Sequence, residues 1–262
     1  MLLPFIIFAF GAIVGSFLNV CIGRIPKDES IVWPPSHCPN CRKPIAVYDN
    51  IPLLSYVFLR ARCRSCSQPI SPRYFLVEFL MGVMALALYY QFGLGFEFLV
   101  GFVFIAALIV ISFIDLDVRI VPDVISLPGI ICGLALSVVG YFVIGGDREL
   151  LPSPWSSLVG MIAGGGFLLA TAWLYEKVTG VDGMGGGDIK LLAMIGAFLG
   201  WPSVPFTLFI ASLIGSVVGL TCMLLTGAGR RLALPFAPFL CSGALLFIFF
   251  GDALIQLYLA AV

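Results

Sequence analysis

The chain is built around long apolar runs, placed at about 2–22, 74–92, 97–114, 124–145, 156–178, 188–200, 203–225 and 233–258. A helix that crosses a bilayer needs roughly 20 predominantly apolar residues, and the sequence supplies such stretches repeatedly. With 61% hydrophobic and 11% charged residues the chain departs from a soluble domain, for which about 45–50% and about 25% are usual. These features predict an all-α polytopic membrane protein with about eight transmembrane helices. The opening MLLPFIIFAFGAIVGSFLNVCIG has no basic n-region, so it reads as a first span and not as a cleaved signal peptide.

Three parts are expected: a first transmembrane helix over 1–22, a small soluble segment over 23–73, and a membrane-embedded remainder over 74–262. The soluble segment is rich in Pro, Cys and Arg and holds no long apolar run. Short charged connections, DLDVRIVPD and GDRELLPSP, separate the middle spans, and Gly200-Trp201-Pro202 divides 188–200 from 203–225. Positive charge sets the orientation. If 23–73 is cytoplasmic, all but one of the 14 Lys and Arg residues fall on that side, Arg148 being the exception. An even number of spans with both termini outside follows. So does a common face for Asp115, which ends the third run, and Asp188, which opens the sixth.

An acid at the mouth of an apolar run is costly, which makes Asp188 the sharpest question in the sequence. From Asp188 to Gly200 a helix covers only ~20 Å of a core ~30 Å thick. If that segment ends at the outer interface, Asp188 starts roughly 10 Å inside the membrane. Irregular backbone at that depth is tolerated only where it lines a cavity, and Gly185, Gly186 and Gly187 suit such a loop. Two carboxylates facing one cavity share a proton and titrate as a unit. One then draws a proton from water while its protonated partner polarises a carbonyl, which is the chemistry of aspartic proteases. The plainer readings are that Asp188 pairs with Lys190 or caps its helix. Asp182 lies outside the glycines and reads as a loop acid. On the partner side Asp115, Asp117 and Asp123 all stand near the boundary. Asp115 abuts the apolar run most closely, and Asp123, after Pro122, reads as a helix cap.

The soluble segment carries CPNC at 38–41 and CRSC at 63–66. Two C-x-x-C pairs supply four thiolates, the pattern of a structural zinc site, so Cys38, Cys41, Cys63 and Cys66 are the expected ligands of Zn2+. A cytoplasmic location disfavours disulfides, and the nearby Arg42, Lys43, Arg62 and Arg64 favour thiolates. A redox pair is the lesser alternative. A segment of this size gains from a metal staple. His37 reads as a surface residue, and Cys21, Cys132, Cys222 and Cys241 as packing residues within spans. Gly164 to Gly166 read as a close helix contact. No glycine-rich nucleotide motif follows a strand, so cofactor-binding residues are unassigned.

Taken in order, GSFLNVCIGRIP at 15–26, CPNC, YDNIPLLSY at 48–56, CRSC, SPRYFLVE at 71–78, IDLDVRIVPD at 114–123, GMGGGDIKLL at 183–192 and LPFAPFL at 234–240 span nearly the whole chain. In this it resembles the type IV prepilin peptidase family, the bifunctional leader peptidases and N-methyltransferases. The resemblance implies a GxGD-type aspartic protease of the bacterial inner membrane, active at the cytoplasmic face, with Asp188 and Asp115 catalytic. It implies pilin-like precursors as substrates, a basic leader commonly cut after glycine, and S-adenosylmethionine as methyl donor to the new amino terminus. Nucleic acid is not an expected partner; the lipid bilayer is. The chain departs from the family pattern at Arg60-Ala61-Arg62, which lacks an expected glycine, and at Ala237, where glycine is usual. Rival readings are a peptidase without methylation, a non-catalytic zinc-ribbon membrane adaptor, and a proton-relaying transporter, although no internal repeat supports the last.

Overall fold

The computed structural model describes residues 2–145, 150–180, 185–226 and 234–261. Arg148, Asp182, Arg230, Arg231 and the expected start of the last span at 233 lie outside the described residues. The chain divides into two compact units, Met1–Val110 and Ile111–Val262.

In the first unit, helix α1 (Leu2–Arg24) lies against α3 (Pro72–Phe92), with the short α2 (Leu54–Phe58) in the soluble segment between them. Ser71 starts α3: its hydroxyl accepts the Arg73 N–H, and Pro72 occupies the first helical position, where no donor is needed. Glycine sets the α1–α3 approach. A Cβ on Gly11 would lie 2.7 Å from the Met81 carbonyl oxygen, and one on Gly15 2.7 Å from the Glu78 Cα. Small residues at such a crossing let two backbones meet where apolar driving force is absent. The Asn19 amide crosses the same seam to the Tyr74 carbonyl at 3.1 Å. The buried Glu78 accepts the Leu53 N–H at 2.7 Å, tying the entry of α2 to α3. Leu53 holds φ 62° and ψ −50°, the strained γ-turn conformation, closed by the Leu54 N–H on the Pro52 carbonyl at 2.6 Å.

Helix α4 (Phe96–Val118) contributes its last turns to the second unit. There follow α5 (Asp123–Val139), prolonged by a π-helical stretch at Gly140–Gly145, then α6 (Pro154–Thr179), α7 (Gly186–Leu199), α8 (Ser203–Thr226) and α9 (Ala237–Ala261). Helix α7 is the core of this unit. Every residue from Leu191 to Leu199 is buried, which fits a segment apolar on all sides. It is gripped by α5 and α6 through glycine: Gly196 backs directly onto Gly160, and a Cβ on Gly164 would come 2.6 Å from the Leu192 carbonyl oxygen. Gly133 of α5 meets Ala197 in the same way. The Ser157 hydroxyl donates to the Ala197 carbonyl, and the Trp201 N–H to the Ser156 carbonyl at 3.1 Å, so the start of α6 is pinned to the end of α7. Of the glycines expected to mediate close packing, Gly164 and Gly165 do so, whereas Gly166 faces open space.

Among the described residues, six helical segments are long and apolar enough to cross a membrane: Leu2–Lys27, Pro72–Phe92, Phe96–Val118, Asp123–Gly145, Pro154–Thr179 and Ser203–Leu225. The other two expected spans correspond to α7 and α9. Helix α7 has only 14 residues, about 21 Å at 1.5 Å per residue, and α9 spans 25 residues, Ala237–Ala261.

Candidate active site

Of the three acids near the end of α4, Asp115 alone is buried, at 5% exposure, while Asp117 and Asp123 are exposed. The structure thus separates three residues that the sequence leaves close in rank. The Asp115 carbonyl accepts the Arg119 N–H at 2.9 Å in the final turn of α4. Its carboxylate Oδ2 accepts the backbone N–H of Ala237 at 3.1 Å, at the first residue of α9.

Asp188 stands in the first turn of α7, partly buried, within electrostatic reach of Asp115. The Cys241 thiol, one turn into α9 and held by Ser112, is within reach of both carboxylates. Two acids 73 positions apart in the chain are therefore brought within electrostatic reach of each other, by the ends of α4 and α7.

The glycine run differs from expectation. Gly185 is the extended N-cap, but Gly186 and Gly187 are already the first residues of α7, so the backbone is not unwound up to Asp188. The first N–H groups of a helix need no acceptor within it, so a helix can open on glycine where space forbids a side chain. That holds at Gly187, where a Cβ would lie 2.7 Å from the Val121 Cβ. At Gly185 and Gly186 an added Cβ would meet none of the described residues, which leaves open room beside Asp188.

Lys190 does not neutralise Asp188. Its ammonium binds both carboxylate oxygens of Asp123, at 2.7 and 2.8 Å. This also corrects the reading of Asp123 as a cap: α5 is preceded by Pro122, with no side-chain cap. The carboxylate turns to the cation on α7 because a two-oxygen ion pair outweighs one amide hydrogen bond.

In the first unit, the four sulfur atoms of Cys38, Cys41, Cys63 and Cys66 lie within 4.8 Å of one another, with Cys38 and Cys66 Sγ 3.8 Å apart. Four thiolates at Zn–S distances of ~2.3 Å stand ~3.8 Å apart in a tetrahedron, so the cluster fits a tetrahedral metal. Both pairs sit on loops of one design. The Cys38 N–H donates to the Lys43 carbonyl at 3.0 Å and the Cys63 N–H to the Gln68 carbonyl at 2.9 Å. Arg42 and Ser67, each just after the second cysteine, both have φ of 57°. The matching sequences CPNCRKPI and CRSCSQPI display this repeat. The Cys66 and Ser65 backbone N–H groups pull the Cys63 thiol down to about 7. Against the pull of the Gln68 N–H, burial and the neighbouring Cys63, Cys41 and Cys38 push the Cys66 thiol up to about 11, so the thiols of the cluster do not ionise alike. Arg64, expected to serve the thiolates, instead forms a two-pronged pair with Asp49 at 2.6 and 2.7 Å and holds that carboxyl below its usual range. His37 stays outside the cluster, its ring against the Pro35 carbonyl at 3.1 Å. Arg60 and Ala61, where the family pattern calls for glycine, have φ of 52° and 57°.

Sequence reasoning missed the Ala237 N–H and the Ser112–Cys241 lining. Backbone donors carry no residue signature. Pro238 was the available signal, since proline favours a helix start.

Two family models match the chain: the Bacterial Peptidase A24 N-terminal domain over residues 9–92 and the Type IV leader peptidase family over residues 102–220. Similar proteins include the prepilin leader peptidase/N-methyltransferase of Aeromonas hydrophila, 36% identical over 97% of this chain and 93% of the relative. That of Myxococcus xanthus is 43% identical over 86% of this chain and 65% of the relative. That of Pseudomonas aeruginosa is 33% identical over 95% and 91% respectively. No solved structure matches the chain.

Proposed function

We infer the chemistry from one premise, that this chain belongs to the type IV leader peptidase family. It is a prepilin peptidase with N-methyltransferase activity: it cleaves the leader from type IV pilin-like precursors and methylates the amino terminus so exposed. It is a multi-pass protein of the bacterial inner membrane. In our reading the chain crosses eight times, α7 and α9 included, with Asp115 and Asp188 opening to the cytoplasm. The functional parts are the first helix over 1–22, the cysteine segment over 23–73 and the peptidase over 74–262.

Asp115 and Asp188 form the cleaving pair. The observation that carries this is the meeting of a buried α4 acid with the acid in the first turn of α7. One carboxylate accepts a proton from water, whose oxygen attacks the scissile carbonyl carbon. The protonated partner donates to the carbonyl oxygen. Collapse of the tetrahedral intermediate breaks the C–N bond, and the nitrogen leaves with a proton from the pair. The precursor must be locally extended, since a helical carbonyl is already hydrogen-bonded. The open space at Gly185 and Gly186, with Gly187 behind, suits such a strand.

Cys38, Cys41, Cys63 and Cys66 would hold Zn2+ and fix the fold of their segment. S-adenosylmethionine, when bound, supplies the methyl group; no residue of this chain is assigned to it.

The test is mass analysis of a purified precursor incubated with the membrane enzyme, with and without methyl donor. Asp115→Asn and Asp188→Asn should each lower cleavage by at least ~10²-fold, the low end for lost general acid–base catalysis. Both should still methylate a precursor cleaved beforehand. Full cleavage by either variant rejects the pair. Cleavage without methylation by the unaltered enzyme would identify a peptidase only, and neither activity a zinc-ribbon adaptor.

A further inference from the structure

The start of α9 is arranged to leave one donor facing outward. A helix leaves its first N–H groups without acceptors of its own. In the turn Ala237-Pro238-Phe239-Leu240, Pro238 has no N–H. The N–H groups of Phe239 and Leu240 both turn back to the Phe236 carbonyl, at 3.0 and 3.2 Å. Ala237 remains, and its N–H reaches across to Asp115 Oδ2 at 3.1 Å. Ala237 is 0% exposed, so solvent does not compete for that donor. The positive end of the α9 dipole points the same way.

We propose that the backbone N–H of Ala237 is a positioning group for peptide cleavage, holding Asp115 by Oδ2 and leaving Oδ1 as its working oxygen. The proposal rests on the reading of Asp115 and Asp188 as the cleaving pair. A carboxylate turns about its Cβ–Cγ bond, and a single fixed hydrogen bond to one oxygen sets its plane. The other groups around it do not do this. Asp188 is of like charge, the Cys241 thiol is engaged by Ser112, and Arg119, whose N–H goes to the Asp115 backbone carbonyl, acts on the carboxylate through its charge. Pro238 has a part as well, since a residue with an N–H there would place a second donor in the same turn. Nothing in the Ala237 side chain is needed, which accounts for alanine standing where the family pattern has glycine.

Exchanging Ala237 for lactic acid during synthesis puts an ester oxygen in place of the N–H and leaves every side chain unchanged. The expected result is a kcat for precursor cleavage lowered about 10- to 100-fold, the scale of a small misplacement of a reacting group. KM should stay within about 2-fold, as for an interaction felt at the chemical step. Methylation of a precursor cleaved beforehand should be unchanged. Ala237→Pro, which also deletes the donor, should match the ester, and Ala237→Gly, which keeps it, should recover most of the kcat. Full kcat in the ester enzyme would overturn the proposal. So would an equal loss in Ala237→Gly, or joint loss of methylation, because each would point to packing of α9 instead of the bond to Asp115. If Asp115→Asn itself cleaves normally, the underlying pair is wrong; if it is inactive while the ester enzyme is fully active, only the positioning role fails.

Discussion

Lys190 and Asp123 join the second turn of α7 to the first residue of α5, with both carboxylate oxygens engaged. Lys190 is two positions from Asp188, so this ion pair ties down the backbone close to that acid. Its side chains are 36% and 57% exposed, so water screens much of the attraction. We expect Lys190→Gln and Asp123→Asn each to lower kcat/KM for cleavage about 2- to 5-fold, in keeping with exposed pairs worth up to ~1 kcal/mol. The double variant should be no worse than the poorer single one. A double-mutant cycle on cleavage rates measures this, and strictly additive losses would show that the two residues act separately.

The α6–α7 contact makes a sharper demand. A methyl group at position 196 would be driven into the Gly160 carbonyl, backbone against backbone, with no flexible side chain to yield. Gly196→Ala should destabilise the protein by about 1–3 kcal/mol, the usual cost of overpacking, and lower its melting temperature in detergent. Gly166→Ala, which meets nothing within 4 Å, is the control and should melt no earlier than the unaltered protein. Equal melting of the two variants would contradict the contact.

Metal analysis of the purified enzyme should find about one zinc per chain, as a four-thiolate site holds. Cys63→Ser should lower that content, and Cys132→Ser, an exposed cysteine outside the cluster, should not. Chelation should expose 23–73 to proteases, because a metal site of this kind contributes folding free energy directly. A segment equally resistant with and without chelator would show that the metal does not hold it.

At Ala61 the backbone is left-handed, held there by a hydrogen bond from its N–H to the Tyr56 carbonyl at 2.9 Å and one from the Ile70 N–H to its carbonyl at 2.7 Å. A residue with a Cβ pays roughly 1–2 kcal/mol for that conformation. Glycine is free of it but loses more entropy on folding. We expect Ala61→Gly to raise the stability of the cysteine segment by about 1 kcal/mol, read as slower protease cleavage at a given chelator concentration. Faster cleavage would mean that the Ala61 side chain contributes packing that outweighs the strain.

Helix placement was legible because the length of an apolar run and its punctuation by Pro and Gly are local properties. The start of α3 at Pro72 and the break at Gly200 are written in a few residues each. The four cysteines were legible for the same reason, and the C-x-x-C-x-x-P-I repeat that shapes both loops is equally local. Depth along the apolar run correctly singled out Asp115 as the buried acid. The partners of these acids were not legible. Lys190 faces an acid 67 positions away in preference to its near neighbour, a choice made by the crossing of α5 and α7. At Gly186 and Gly187 the sequence suggested irregular backbone, but the tight fit beside Val121 admits a helical start just as well.

The bond between Ala237 and Asp115 joins residues 122 positions apart, and this orders events during synthesis. A ribosome delivers both acids by codon 188, well before the residue that steadies one of them has been made. A nascent chain therefore holds Asp115 without that hydrogen bond until α9 has been made and has packed against the end of α4.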